Sequence, residues 1–380
     1  MIRKIGVVGA GAMGSGIAQV AAMAGHSVVV YDAISAATER AAKMMESSLL
    51  KLENKGKIES SAGVMSNVKF VDDLNLLSDA DFIIEAIIEE LSAKKELFRA
   101  LEKLVAADCV LATNTSSLSV TSIASACSMP ERVIGVHFFN PATIMELVEI
   151  IPALQTEKSV LNRTTELISG WNKTAVICKD TPGFIVNRIA RPYYGEALRI
   201  LDEGIATCET IDEAMKRGGF RMGPFELMDF IGHDVNFRVT ESVFQSFYFD
   251  PRYKPSFTQK RLFEAGWFGK KSGRGFYDYA ENAVRNEPDL NENLQKSIFL
   301  RVISMLINEA ADALHFRIAT EEDIELAMKK GVNYPKGLIE WASEIGIQTI
   351  VEQLDILYSS YGEDRYRCSP ALRVKLQNAV

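Results

Sequence analysis

Residues 5–14 read Ile-Gly-Val-Val-Gly-Ala-Gly-Ala-Met-Gly, and residues 27–32 read Ser-Val-Val-Val-Tyr-Asp. The first stretch joins an apolar run of strand length to glycines at the spacing G-x-G-x-x-G, and an apolar helix pattern then continues as far as Gly25. The second stretch is another strand, and it ends in an acidic residue. A strand, a glycine turn, a helix and an acidic residue about twenty positions later form the fingerprint of a dinucleotide-binding βαβ unit. The sequence therefore predicts an α/β Rossmann-type domain.

Each glycine of this turn has a physical role in the predicted unit. Gly9 permits the tight turn, Gly11 lets the backbone approach a pyrophosphate, and Gly14 lets helix and strand pack closely. The N-terminus of the helix stabilises the phosphate charge. Asp32 would accept hydrogen bonds from the adenine ribose and repel a 2′-phosphate, which favours NAD over NADP. The alternative is a tight turn without a ligand. The predicted cofactor residues of this unit are Gly9, Gly11, Ala12, Met13, Gly14 and Asp32.

Strand and helix patterns continue to alternate up to residue 178. Such alternation predicts a parallel sheet with helices on both faces, in which ligands bind at the carboxyl ends of the strands. Polar residues follow the ends of successive predicted strands, and we expect them to line a single crevice. These residues are Glu89, Ser116, His137 and Asn140.

His137 is the candidate proton acceptor of this crevice, because imidazole takes and gives a proton near neutral pH. Glu149 lies in a second strand-like run, residues 146–151, twelve positions further along the chain. If the two runs pair, the carboxylate could hold the imidazole in one tautomer and favour the imidazolium form. The alternative is a buried histidine with an unrelated surface glutamate.

The segment Lys179-Asp-Thr-Pro-Gly183 predicts a domain boundary, with Thr181 as helix N-cap and Pro182 as the first helical residue. Everything beyond it has helical patterns. Within this part, residues 194–216 reappear as residues 307–329, which indicates an internal duplication. Asn187 of the first copy corresponds to Leu300 of the second, so we interpret the second copy as structural. The predicted domains are 1–180 (NAD-binding), 181–283 (first helical copy) and 284–380 (second helical copy).

Composition limits the classes of partner. The chain has 380 residues, 47% of them hydrophobic, and a net charge of -8, which argues against nucleic acid or an anionic membrane surface as the main partner. The five scattered cysteines suggest reduced thiols and neither a disulfide frame nor a metal site. Neither a signal peptide nor a run of transmembrane length is recognised, so a cytoplasmic protein is expected.

Two basic features leave their role open. Lys51, Lys55 and Lys57 form a positive island at the end of a long helix, either as a solvated helix end or as a handle for an anionic substrate. Residues 267–277 combine glycines and lysines, either as a loop that closely approaches an anion or cofactor or as a plain basic loop.

Taken in order, the motifs resemble those of the L-3-hydroxyacyl-CoA dehydrogenases, including bacterial 3-hydroxybutyryl-CoA dehydrogenases. The resemblance covers nearly the whole chain. It rests on Gly-Ala-Gly-Ala-Met-Gly at 9–14, Asn-Thr-Ser-Ser-Leu at 114–118, His-Phe-Phe-Asn-Pro at 137–141, Lys-Asp-Thr-Pro-Gly-Phe-Ile-Val-Asn-Arg at 179–188, Met-Gly-Pro-Phe-Glu-Leu at 222–227 and Gly-Arg-Gly-Phe-Tyr at 273–277.

The resemblance implies a role for each matching position. His137 would be the base and Glu149 its partner, while Ser116 and Asn187 would hold the C3 oxygen of an acyl-CoA substrate. The implied NAD contacts are Asp32, Glu89, Lys94, Ser116, Asn140 and Lys271, and the implied coenzyme A contacts are Ser48 and Lys55. Asn187 would arrive from the helical part, so domain closure would belong to catalysis. In other members of the family dimerisation supplies packing contacts that the second copy would supply within this chain. The protein is expected to be a monomer or a homodimer.

The implied reaction is the reversible, NAD-dependent oxidation of an L-3-hydroxyacyl-CoA, of short chain such as 3-hydroxybutyryl-CoA, in fatty acid metabolism and β-oxidation. Two alternatives stay open at this point. Relatives of this fold oxidise other hydroxy acids, such as gulonate or carnitine, and a crystallin-like member would bind NAD without chemistry.

Overall fold

The computed structural model describes residues 2–379. Its contacts divide the chain into two compact units, Met1–Thr181 and Pro182–Val380. The predicted boundary at residues 180/181 lies one residue from this division. The further division at residues 283/284 stays a prediction.

The first unit is built on one eight-stranded sheet in the order β3-β2-β1-β4-β5-β6-β7-β8. Its strands are β1 (Lys4–Val8), β2 (Ser27–Tyr31), β3 (Val68–Val71), β4 (Phe82–Glu85), β5 (Val110–Thr113), β6 (Val133–Phe138), β7 (Leu147–Pro152) and β8 (Thr174–Ile177). Its helices are α1 (Ala12–Met23), α2 (Ser35–Asn54), α3 (Ser61–Met65), α4 (Leu91–Leu104), α5 (Val120–Ala124) and α6 (Lys158–Gly170), with 3₁₀ turns at Leu74–Leu77 and Pro130–Arg132.

Apolar strand residues explain why the sheet is central. All four residues of β4 and of β5 are buried, as expected for strands that are covered on both faces. The sheet core includes Val7, Val30 and Ile84, and the buried face of α1 packs into the same cluster. The prediction of a Rossmann-type sheet domain followed by helices is confirmed.

The expectation of an all-parallel sheet is wrong at one place. β6 and β7 pair antiparallel, whereas the other neighbouring strands of the sheet run parallel. Only residues 139–146 connect β6 to β7, and a parallel crossover needs about a dozen residues or more. β3, which is a short and half-exposed edge strand, was not predicted.

The second unit is helical. Its helices are α7 (Val186–Ile189), α8 (Arg191–Asp202), α9 (Cys208–Arg217), α10 (Pro224–Ile231), α11 (His233–Ser246), α12 (Phe257–Glu264), α13 (Glu292–His315), α14 (Glu321–Gly331), α15 (Leu338–Ile345), α16 (Ile347–Tyr361) and α17 (Pro370–Ala379). 3₁₀ turns lie at Pro251–Tyr253, Lys270–Ser272 and Asp364–Tyr366. Among residues 2–379, no helix is both long and apolar enough to cross a membrane.

The start of the second unit corrects the predicted helix cap. Gly183 and Phe184 both have positive φ, 73° and 48°, so the chain turns there and the helix begins only at Val186. The hydroxyl of Thr181 is buried and has no hydrogen-bond partner in the described chain, so Thr181 is not the N-cap. The helix expected from Pro182 onward is also interrupted between α7 and α8, where Pro192 lacks the N–H that a helix interior requires.

The helices of the second unit repeat in order. α9 and α14 begin 113 residues apart, and so do the 3₁₀ turns at Pro251 and Asp364, while α10 and α15 begin 114 residues apart. The long α13 stands where the first copy has α7 and α8. These spacings match the offset of the sequence repeat.

Equivalent residues of the two copies make reciprocal ion pairs. Arg188 Nε lies 2.9 Å from Glu309 Oε1, and Arg301 Nε lies 2.6 Å from Glu196 Oε1. All four side chains are buried. A tyrosine hydroxyl donates to each glutamate, from Tyr253 to Glu309 and from Tyr366 to Glu196. Each copy thus gives an arginine to the other and receives one, as two subunits do across a two-fold axis.

The Glu196 pair makes part of the stability depend on pH. Burial opposes ionisation of Glu196, but the charges of Arg199 and Arg301 and the hydrogen bonds from Arg301 and Tyr366 outweigh it and lower its pKa from the ordinary value of a glutamate. A carboxyl whose folded pKa is depressed stabilises the fold above its unfolded pKa, and this contribution is lost as pH falls through the folded pKa.

We therefore expect the difference in free energy of unfolding between wild type and Glu196→Gln to be largest near pH 7 and to shrink below about pH 4.5. Urea denaturation at several pH values measures this difference. A gap that stays constant between pH 7 and pH 3 would contradict an ionised Glu196.

Candidate active site

The glycine turn is fixed by close backbone contacts. Gly9 has φ +104°, and a Cβ there would lie 2.6 Å from the carbonyl oxygen of Ala86, while a Cβ at Gly14 would overlap the carbonyl oxygen of Gly9. A Cβ at Gly11 would meet no heavy atom within 4 Å. α1 starts directly after Gly11, without a side-chain cap on its first N–H groups. Open space above uncapped N–H groups suits an anionic pyrophosphate.

Asp32 directly follows β2 and is held by two backbone N–H groups, one of which belongs to the glycine turn. The backbone N–H of Ala10 donates to Asp32 Oδ2 at 2.8 Å, and that of Ile34 donates to Oδ1 at 3.0 Å. The carboxylate is therefore oriented before any ligand binds, at the place where a Rossmann-type domain holds the adenine ribose.

A cavity of about 490 Å³ in the first unit joins several predicted residues. Gly11, Ala12, Asp32, Asn140 and Ser48 all line it. Four of the expected NAD contacts thus lie beside Ser48, one of the two expected coenzyme A contacts. Gly9, Met13 and Gly14 support the turn but do not line the cavity.

One face of α2 forms a wall of this cavity that sequence reasoning did not find. Its residues are Ala37, Arg40, Ala41, Met44, Met45 and Ser48. They recur at steps of three and four, which is the spacing of a single helix face. That spacing starting from Ser48 could have identified Arg40, the one cation lining this cavity of the first unit.

The predicted coenzyme A contact Lys55 lies outside this cavity. It follows the last residue of α2 and is exposed, as are Lys51 and Lys57. No ion pair involves these three lysines within residues 2–379. The structure therefore fits both readings of the basic island, and the role of Lys55 stays a prediction.

Glu89 joins the loops that follow β4 and β5. Its Oε1 accepts hydrogen bonds from Thr115 Oγ1 at 2.7 Å, Ser116 N at 2.8 Å and Ser117 N at 3.1 Å. Ser116 Oγ lies 3.2 Å from the same oxygen. Burial opposes ionisation of Glu89, but the Lys94 charge and these hydrogen bonds lower its pKa, so Glu89 is an anion at neutral pH.

Lys94 has an internal position that the sequence did not indicate. Its side chain is 1% exposed, and Nζ lies 2.5 Å from Glu85 Oε1 and 3.3 Å from Glu89 Oε2. Thr113 Oγ1 donates to the other oxygen of Glu85 at 2.7 Å. Lys94 thus neutralises two carboxylates beneath the crevice, and its direct contact with NAD stays a prediction.

His137 and Glu149 stand opposite each other on β6 and β7. His137 Nδ1 lies 2.7 Å from Glu149 Oε2, and both side chains are buried. An ionised carboxylate only accepts hydrogen bonds, so Nδ1 carries the proton and Nε2 is the atom that can take one. The alternative of a buried histidine with an unrelated surface glutamate does not agree with this geometry, because Glu149 is buried and contacts His137.

The crevice loops are also tied to one another. The backbone N–H of Phe138 donates to Asn114 Oδ1 at 2.8 Å, which connects β6 to the loop that carries Ser116. Asp180 accepts hydrogen bonds from Ser119 Oγ and from the backbone N–H groups of Val120 and Thr121 at the start of α5. These contacts fix the positions of Ser116 and His137 within the first unit.

Asn187 and Lys271 belong to the second unit. Asn187 is half-buried in α7, and Lys271 Nζ forms an ion pair with Asp234. Their predicted contacts with substrate and NAD stay predictions.

The glycine-rich loop at residues 267–277 wraps around a carboxylate of the protein itself. Asp229 accepts hydrogen bonds from the backbone N–H groups of Phe276 at 2.9 Å and Tyr277 at 3.0 Å. A Cβ at Gly269 or Gly275 would overlap Asp229. The close approach inferred from these glycines is therefore made to Asp229.

Comparison with known proteins places the chain in a family. The sequence profile of the 3-hydroxyacyl-CoA dehydrogenase NAD-binding domain matches residues 4–181. That of the 3-hydroxyacyl-CoA dehydrogenase C-terminal domain matches residues 183–279 and again 298–379, which correspond to the two copies.

Relatives agree with this placement. The chain is 37% identical to 3-hydroxyadipyl-CoA dehydrogenase of Escherichia coli, over 98% of this chain and 97% of that protein. It is 42% identical to a probable 3-hydroxybutyryl-CoA dehydrogenase of Deinococcus radiodurans, over 73% of this chain and 100% of that protein. The crystal structure of 3-hydroxybutyryl-CoA dehydrogenase from E. coli K12 superposes with a TM-score of 0.93 at 36% identity, covering 100% of this chain and 99% of that one. The chain therefore belongs to the 3-hydroxyacyl-CoA dehydrogenase family and is an NAD-dependent oxidoreductase.

Proposed function

We propose that the chain oxidises an L-3-hydroxyacyl-CoA to the 3-ketoacyl-CoA, with His137 as the base that removes the C3 hydroxyl proton at Nε2. The observation that carries the proposal is the buried contact of 2.7 Å between His137 Nδ1 and Glu149 Oε2. Glu149 fixes the tautomer and stabilises the imidazolium that forms.

The glycine turn, the cavity beside it and the oriented Asp32 carboxylate fit NAD. When bound, NAD supplies the acceptor for the C3 hydride. Ser116 holds the C3 oxygen, and Glu89 keeps the Ser116 loop in place through its hydrogen bonds. Asn187 is the second group proposed to hold this oxygen. Lys271 remains a proposed NAD contact, and Ser48 and Lys55 remain proposed coenzyme A contacts.

The relatives' names support a short acyl chain, since they specify butyryl and adipyl groups. Scattered cysteines without disulfides support a reducing compartment such as the cytoplasm. Monomer and homodimer both stay open as predictions for the assembly.

The test is NADH formation from L-3-hydroxybutyryl-CoA, with gulonate and carnitine as competing substrates. Turnover of the acyl-CoA alone supports the proposal. Turnover of gulonate or carnitine alone would instead support the hydroxy-acid alternative. NAD binding without turnover of any substrate would support the non-catalytic, crystallin-like alternative.

Cofactor choice gives a further prediction. Replacing Asp32 by alanine removes a charged hydrogen-bond acceptor, so we expect kcat/KM with NAD to fall about 10–100-fold and the preference for NAD over NADP to fall with it. Steady-state kinetics with both cofactors measure this change. Asp108→Ala, a substitution at an exposed position of the same unit, is the control. An unchanged NAD/NADP ratio in Asp32→Ala would contradict the role of Asp32.

A further inference from the structure

Arg191, the first residue of α8, is a buried cation to which residues 2–379 supply no carboxylate partner. Its side chain is 7% exposed, and the guanidinium lies over the ring of Tyr194, 4.9 Å from the centroid. Nη1 lies 3.2 Å from Thr240 Oγ1, whereas Nε has no hydrogen-bond partner within the described residues. Burial lowers the pKa of Arg191, although the nearby Tyr194 and Tyr334 oppose this effect.

An unpaired buried charge is costly, and arginine is the residue best shaped to bind a planar carboxylate. The other buried arginines of the second unit, Arg188, Arg301 and Arg365, each have a glutamate partner. Arg191 differs from them, which suggests that its partner is not a residue of the protein.

A cavity of about 400 Å³ within the second unit is lined by Tyr194, the residue whose ring the Arg191 guanidinium contacts. Tyr194 and Tyr334 line it, together with the cations Arg221 and Lys270, and its lining includes no aspartate or glutamate. The hydroxyl of Tyr334 is buried and has no hydrogen-bond partner in residues 2–379. In a chain of net charge -8, a cavity with two cations and no anion is suited to a negatively charged ligand.

The sequence places this group close to the proposed substrate. Arg191 follows Asn187 by four residues, and Ala190 between α7 and α8 keeps helical backbone angles. Four residues of helix span about 6 Å along the axis. A few further carbons of an acyl chain, beyond the C3 oxygen held at Asn187, cover a comparable distance.

We propose that Arg191 and this cavity bind the terminal carboxylate of a dicarboxylic acyl chain, so that the substrate class is an L-3-hydroxydicarboxylyl-CoA such as 3-hydroxyadipyl-CoA. The inference rests on the proposed function and specifies its substrate. The name of the E. coli relative, 3-hydroxyadipyl-CoA dehydrogenase, agrees with it. A phosphate of coenzyme A is the competing anion, and it is present in every acyl-CoA.

The experiment compares L-3-hydroxyadipyl-CoA with L-3-hydroxyhexanoyl-CoA, which has the same chain length but no terminal carboxylate. Wild type should prefer the adipyl substrate in kcat/KM. Arg191→Met should reduce this preference about 10–100-fold, because a charge-assisted hydrogen bond is lost. Tyr334→Phe and Arg221→Gln should each reduce it less. Arg238→Met, which removes an exposed arginine stacked on Phe263 in the same unit, should leave the preference unchanged.

Equal losses with both substrates would overturn the inference and indicate a phosphate contact or a structural role. A wild type that prefers the hexanoyl substrate would also overturn it.

Circular dichroism and Tm check that each variant folds. If Arg191→Met does not fold, Tyr334→Phe and Arg221→Gln decide, and an unchanged preference in both contradicts the inference. If wild type turns over the hexanoyl and adipyl substrates equally well, this inference alone is refuted. If no 3-hydroxyacyl-CoA substrate yields NADH, the proposed function is refuted.

Discussion

Replacing His137 by alanine should lower kcat by about 10²–10⁴-fold, the usual contribution of a positioned base. Glu149→Gln should also lower kcat by orders of magnitude, because the amide keeps the size of the carboxylate but cannot stabilise the imidazolium. NAD binding should survive in both variants, since the glycine turn and Asp32 lie on other strands of the sheet. Stopped-flow or steady-state NADH formation measures kcat, and isothermal titration calorimetry measures the Kd for NAD.

His26 provides the matched control for this experiment. It belongs to the same unit, packs against Trp171 and lies outside the cavity that Asp32 and Asn140 line. His26→Ala should therefore keep near-normal turnover. Near-normal turnover in His137→Ala or in Glu149→Gln would remove the proposed roles of these two residues. Loss of NAD binding together with activity would instead indicate a disturbed sheet domain.

The second large effect concerns stability. Glu309→Ala should lower the free energy of unfolding by about 3–5 kcal/mol, because it leaves a buried guanidinium without its counter-charge. Arg188 is 4% exposed, and Glu309 is its only carboxylate partner within residues 2–379. Glu196→Ala should cost less, since Arg301 keeps a second carboxylate, Glu203, with contacts of 2.8 and 3.1 Å. Urea denaturation and Tm measure both losses.

An exposed ion pair of the second unit gives the control for charge removal. Glu292 and Lys296 are 78% and 76% exposed, so Glu292→Ala should change stability little. The double variant Arg188→Met with Glu309→Leu should recover part of the loss, because both buried charges are then gone. If Glu309→Ala proved as mild as Glu292→Ala, the buried pair would not contribute to holding the copies together.

The sequence predicted those features that depend on local chemistry. The glycine spacing at 9–14 and the acidic end of β2 follow directly from steric and electrostatic requirements of a dinucleotide turn. The His137–Glu149 contact was conditional on strand pairing, which two apolar runs joined by a short loop made plausible. The duplication was visible as a repeated pattern.

Features that depend on tertiary packing were missed. Thr181-Pro182 reads as a helix start, but Gly183 and Phe184 turn the chain and delay the helix to Val186. The burial of Lys94 follows from two carboxylates on neighbouring segments, and no local pattern encodes it. The sequence repeat aligns Arg188 with Arg301 and Glu196 with Glu309, yet it does not reveal that each arginine crosses to the other copy.

That exchange of arginines affects how the helical unit behaves when the protein is diluted. Contacts of this reciprocal kind between separate subunits weaken as the protein concentration falls, because dissociation is bimolecular. Here both halves belong to one polypeptide, so the local concentration of each half around the other is set by the tether and not by the number of molecules present. The contacts between the two copies therefore do not weaken when the protein is diluted.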